Sequence, residues 1–170
     1  MDRPMEPPPT DQGEVTVESL LRGTWFGGGL DDLTVGRLAP LARRKTAATG
    51  EVLCTEGAHS EEFGVVVTGR LALRMLVPER GAATILTVEP GDLYGWSAIV
   101  APHRATSTVV AIEPSDLLSF DGTELRLALA SDPILAAAVY PRVLQAVSRR
   151  LNATRLQLLD LFARREVDPW

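Results

Sequence analysis

The chain has 170 residues, 45% of them hydrophobic and 23% charged, with a net charge of −5, values that fit one soluble globular domain with a core of its own. The acidic balance, with a pI near 5.1, excludes a surface built to neutralise a phosphate backbone over the whole domain. A single cysteine, Cys54, excludes an intrachain disulfide and any cysteine-based metal site, and Cys54 reads as a small buried hydrophobe.

The proline-rich start, Met1 to about Glu14, is expected to be a disordered arm; it has no apolar stretch that could serve as a signal peptide. No apolar run reaches the roughly 20 residues of a membrane span, so the expected location is cytoplasmic. Lys45 is the only lysine among seventeen basic residues, a bias that points to a GC-rich bacterial genome. The domain is expected to fill residues 15–170, with a β-roll over 43–120 and C-terminal helices over 121–165.

Val15–Leu21 predicts a short helix. Trp25-Phe26-Gly27-Gly28-Gly29 reads as a connector carrying two aromatics; no strand precedes it and no Gly-Lys-Ser/Thr follows, so it is no phosphate loop. Asp31 or Asp32 can cap a helix through about Ala42, with Leu33, Leu38 and Leu41 turned inward. From Arg43 to Phe120, turn signals at Thr49-Gly50, Glu56-Gly57, Thr68-Gly69, Glu79-Arg80-Gly81, Pro90-Gly91-Asp92, Ala101-Pro102 and Glu113-Pro114 separate short β-type runs. These runs are Glu51–Thr55, Phe63–Val67, Arg70–Val77, Ala83–Val88, Thr106–Ile112 and Leu117–Phe120, a pattern that predicts a mostly β domain, an antiparallel β-roll or jelly roll.

Beyond it, Asp121 or Thr123 can cap a helix over Glu124–Ala130, and Ser131-Asp132-Pro133 opens a long one, with proline tolerated in the first turn. Pro141 is expected to kink that helix or mark a restart. Leu144, Val147, Leu151, Thr154, Leu158 and Leu161 follow at spacings of three and four, a heptad seam expected to form a homodimer. Val143, Leu156, Leu159 and Phe162 give a second edge expected to pack on the roll. Arg149-Arg150 and Arg164-Arg165 read as solvated or paired helix charges.

The stretch Gly91–Ala111 suits a small anion: a turn with exposed backbone N–H groups, a short helical turn after Gly95, then Arg104. His59 and His103 sit in turns with no further ligands at metal-binding spacing. The metal-binding cupins share a jelly-roll architecture but need a His-x-His and a further histidine, which this chain lacks. No catalytic constellation is visible, so neither an enzyme nor a metal or cofactor site is expected.

Together, Gly50-Glu51-Val52-Leu53, Phe63 through Gly69, Val88 through Gly95 and Arg149 through Thr154 resemble the cyclic-nucleotide-binding domain of the catabolite activator protein family, over about Trp25 to Phe162. The resemblance makes Gly91–Ala111 the phosphate-binding cassette and implies a ligand such as cAMP or cGMP. By that pattern Trp96 stands where a glutamate holds the ribose. Ala105 stands where an arginine pairs the phosphate, with Arg104 one residue early. If that stretch is strand, the shift turns Arg104 to the other face; if loop, its guanidinium could still reach the phosphate. The implied ligand contacts are Leu73, Ile85, Gly95, Trp96, Ser97, Ala98, Arg104, Ala105, Thr106 and Thr154. Trp96 would either stack on a base or sugar or plug the pocket, and Thr154 would either touch the purine or be a tolerated polar seam residue.

No winged helix-turn-helix follows the long helix, so direct DNA binding is not expected. Two functions stay open. One is a ligand sensor signalling through a separate partner protein; the other is a dimeric interaction module with an occluded pocket, using the proline-rich arm or Trp170.

Overall fold

The computed structural model describes residues 15–166, with side chains through Leu159. The arm expected at 1–14, the seam residue Leu161, Phe162, Arg164-Arg165 and Trp170 lie outside the described residues or side chains. Helix α1 (Val17–Arg22) is capped by Thr16, whose hydroxyl accepts the Ser19 N–H. Helix α2 (Asp32–Leu38) is capped by Asp31, which accepts the Thr34 N–H at 2.7 Å. The helix expected to reach Ala42 ends earlier, in a 3-10 turn over Ala39–Leu41 that holds Pro40, a residue with no N–H for an α-helical bond. Leu33 is 58% exposed rather than inward; the buried face of α2 is Thr34, Val35 and Leu38.

Eight strands follow: β1 (Ala42–Ala47), β2 (Val52–Cys54), β3 (Glu62–Thr68), β4 (Leu71–Val77), β5 (Gly81–Val88), β6 (Leu93–Tyr94), β7 (Thr108–Ala111) and β8 (Ser115–Asp121). They form two antiparallel four-stranded sheets, ordered β1-β8-β3-β6 and β2-β7-β4-β5. This is the jelly roll that the turn spacing predicts, with β1 and β6 as additions and β7 starting two residues later than expected. Between the sheets lies a core that includes Val66, Leu71, Val109 and Leu117. A second core joins the first sheet to the helices. There Phe63 touches Phe26 and Phe120 at centroid distances of 5.6 and 5.7 Å, spacings at which tilted aromatic pairs attract.

Asp121 caps α3 (Gly122–Ser131) by accepting the Thr123 and Glu124 N–H groups at 2.8 and 2.9 Å. Helix α4 (Pro133–Glu166) has 34 residues, a length of about 50 Å. It runs through Pro141 as one helix without a restart. Leu135, Val139, Val143 and Ala146 are buried on its inner side, and Val147 packs beside them rather than standing in an open seam. Of the second apolar edge Val143 packs in the core, but Leu156 and Leu159 are 63% and 62% exposed: by that point α4 has run past the roll. Leu144, Leu151 and Leu158 form an exposed stripe at seven-residue spacing. No helix among the described residues is long and apolar enough to cross a membrane.

Candidate functional site

Strand β6 delivers the cassette to the roll, and two glycines make that possible. Tyr94 lies directly over Gly64 of β3, where a Cβ would occupy the phenol ring. Its hydroxyl donates to Glu62 at 2.7 Å, and burial, reinforced by the Glu62 carboxylate, pushes its pKa well above the ordinary value. Gly95 then takes a left-handed φ of +67° with its Cα against the Glu62 carbonyl, a position closed to any side chain. From there the chain makes a 3-10 turn over Trp96–Ala98, closed by the Ala98 N–H on the Gly95 carbonyl at 2.9 Å.

The return path is stitched to the 57–60 loop. Ala105 donates its N–H to the Ala58 carbonyl at 2.9 Å and accepts the Gly57 N–H at 2.8 Å, and Ser60 donates to the His103 carbonyl at 2.8 Å. Between the turn at Gly95–Ser97 and the return path at Ala105–Ser107 lies a cavity of about 200 Å³. Leu73 and Met75 of β4 and Ile85 and Leu86 of β5 supply an apolar wall. Gly95, Trp96 and Ser97 form another side, and Ala105, Thr106 and Ser107 a third. Helix α4 closes the cavity with Arg150 and Thr154.

Eight of the expected contacts therefore meet in one cavity: Leu73, Ile85, Gly95, Trp96, Ser97, Ala105, Thr106 and Thr154. Ala98 and Arg104 do not line it. Ala98 is buried in the core beneath the helices, and its carbonyl accepts a hydrogen bond from Arg126. Arg104 is exposed, and its Nη1 donates to the Gly57 carbonyl at 2.9 Å. Residues 104–107 lie outside β7, yet Arg104 forms an isolated bridge with His59. That extended pairing gives neighbouring side chains opposite directions, so Ala105 faces the cavity and Arg104 faces away.

Sequence reading missed Arg150. The expectation of solvated or paired charges holds for Arg149, which is paired with Asp92 at 3.1 Å and stacked over Trp25 at 3.7 Å. It fails for Arg150, which turns inward, donates to the Leu93 carbonyl and stacks on Trp96 at 4.6 Å. Burial lowers its pKa to about 10, the positive Arg149 adding to the shift and Asp92 opposing it; it is still a cation at neutral pH. The available signal was its place one helical turn before Thr154, on the same face of α4. Thr154 spends its hydroxyl on the Arg150 carbonyl at 2.9 Å, as threonines in helices commonly do.

Cys54 also lines the cavity; burial first, and then Glu62, pushes its thiol pKa up, so it is no thiolate nucleophile. Among the described residues no group of three histidine, cysteine or carboxylate side chains is placed to hold a metal ion.

The sequence pattern of the cyclic nucleotide-binding domain matches residues 44–132, more than half of the chain. The chain belongs to the cyclic nucleotide-binding domain family. Its fold is similar to a cyclic nucleotide-binding domain from Methylobacillus flagellatus, with a TM-score of 0.73 and 22% identity over 85% of this chain and 81% of that one. The N-terminal domain of a transcriptional regulator from Streptomyces coelicolor is 28% identical over 82% of this chain and 94% of that one, with a TM-score of 0.61. The catabolite activator protein of Thermus thermophilus shares the fold at a TM-score of 0.64 and 20% identity, covering 81% of this chain and 62% of that one. No protein of curated function matches the sequence. The family match ends at Asp132, before α4, so Arg150 is a feature of this chain outside the matched region.

Proposed function

We propose that this cyclic nucleotide-binding domain is a regulatory sensor of a small phosphorylated ligand, most simply cAMP or cGMP. In this reading the ligand occupies the cavity between the cassette, β4–β5 and α4, and the signal passes to a separate partner protein by a change in α4 packing. The observation that carries the reading is the cavity itself: eight of the contacts implied by the family line one recess, which also takes Arg150 from α4. The exposed Leu144, Leu151 and Leu158 stripe supports dimerisation through α4. A bound ligand can act only by preferring one of two packings, so differential affinity is required.

One observation favours the second reading, an occluded module that works through protein contacts. Trp96 stands in the recess with Arg150 stacked on it, and about 200 Å³ is below the roughly 300 Å³ of ordinary ligand pockets. Calorimetry and thermal shift with cAMP, cGMP and cyclic dinucleotides separate the two. The sensor gives saturable binding and a rise in Tm with ligand concentration; the occluded module gives neither. Because Arg104 points away from the cavity, Arg104→Ala is expected to leave any such response intact.

A further inference from the structure

We propose that Arg150, carried into the cavity by α4, is the residue that binds the anionic group of the ligand. The inference rests on the sensor reading and assigns its chemistry. Among the residues lining the cavity, Arg150 is the only one that carries a charge at neutral pH, and no carboxylate lines it. The other polar groups are the neutral hydroxyls of Ser60, Ser97, Thr106, Ser107 and Thr154. A cation in such surroundings attracts an anion far more strongly than it would in water.

The state of the guanidinium points the same way. The nearby carboxylate that could neutralise it, Asp92, is engaged by Arg149 at 3.1 Å. Stacking on Trp96 occupies its face, and among the described residues one protein acceptor, the Leu93 carbonyl, uses its edge. A guanidinium has five N–H donors suited to a bidentate oxyanion, so most of its donor capacity is left for a ligand. Burial lowers its pKa, and the Asp92 carboxylate offsets only part of that shift. Arg104, the other arginine near the cassette, spends its donor on Gly57 at the exposed surface. The apolar wall of β4 and β5 offers the rest of the ligand no second charged partner.

The test is calorimetry on the full chain with cAMP, cGMP and uncharged adenosine. The wild type should prefer the cyclic mononucleotides over adenosine. Arg150→Gln should weaken cyclic mononucleotide binding ten- to hundredfold, the value of a charge-assisted hydrogen bond, while leaving adenosine unchanged. Arg150→Lys should recover part of the loss, and Arg104→Gln should bind as the wild type does. A merely structural role for Arg150 would weaken cAMP and adenosine together, and that result would overturn the proposal. So would an Arg150→Gln variant within twofold of the wild type, or loss of binding in Arg104→Gln. If Arg150→Gln does not fold, phenylglyoxal modification of the wild type, mapped by mass spectrometry, decides the point. Protection of Arg150 by saturating cAMP supports the assignment, and equal modification with and without cAMP overturns it. No binding of any probe by the wild type refutes the sensor reading and this assignment with it. Binding that survives Arg150→Gln refutes the assignment alone.

Discussion

Gly95→Ala should be among the most damaging single-methyl changes in the domain, and its cost can be worked out from two features. The residue holds φ at +67°, where an L side chain costs about 1–2 kcal/mol. Its Cβ would also fall on the Glu62 carbonyl, part of the β3 backbone and not a side chain that can swing aside. Forcing backbone to move in a packed region adds about 1–3 kcal/mol. The expected total is about 2–5 kcal/mol, or a Tm loss of about 4–20 °C at about 2–4 °C per kcal/mol for a domain of this size. Gly50→Ala provides the control. Gly50 has a φ of +88° but nothing within 4 Å of the added methyl, so only the conformational term applies, about 1–2 kcal/mol. Urea denaturation of both variants, with unchanged m-values, measures the difference directly. If Gly95→Ala lost no more stability than Gly50→Ala, the close approach of the cassette to β3 would not be the constraint described here.

Leu151→Asp should convert an α4-mediated dimer into a folded monomer in sedimentation velocity, because half-exposed Leu151 lies on the outward stripe and not in the core. A wild type that sediments as a monomer at high concentration, or a variant that still dimerises, would remove the stripe from the account. Tyr94 supplies a pH prediction. Its pKa is raised in the folded state by burial and by Glu62, so its contribution is intact below the unfolded value of about 10 and is lost as pH rises beyond that. Arg150 acts in the opposite sense, since its pKa is lowered to about 10 and alkali relieves its buried charge. Denaturation from pH 9 to 11 should therefore show a shallower loss in Tyr94→Phe than in the wild type; parallel curves would contradict the assignment.

The β-roll was legible because its turns carry a conformational demand that one residue type meets. Gly50, Gly57, Gly69, Gly81, Gly91 and Gly95 all have positive φ, and the first five sit at the turn signals that divide the sequence into strands. Asp31 and Asp121 were legible as caps for a comparable reason: a short acceptor must stand just before the helix. Strand β1 was not legible. Ala-Arg-Arg-Lys-Thr-Ala has no apolar alternation, four of its side chains lie outside the core, and it is held by pairing with β8 at separations of 68 to 78 residues. Strand β6, two residues long, is too short to have any period.

The site divides along the same line. Its backbone, from Gly95 through Thr106, is local and could be read in order, but its charge is not local. Arg149 and Arg150 are adjacent and chemically identical, and no feature of either residue says which will be solvated. The roughly 100° turn between successive helix positions gives them different partners: Trp25 and Asp92 for one, Trp96 and the Leu93 carbonyl for the other. That choice is fixed by how α4 lies on the roll, which in turn depends on Val139, Val143 and Ala146 finding the core and on Arg142 reaching the Trp25 carbonyl at 3.0 Å. An arginine in the cassette can be looked for at a fixed place in a motif. An arginine brought to the cavity by a helix some fifty residues further on becomes visible only when the helix is in place, so the cassette looked emptier in sequence than the cavity is.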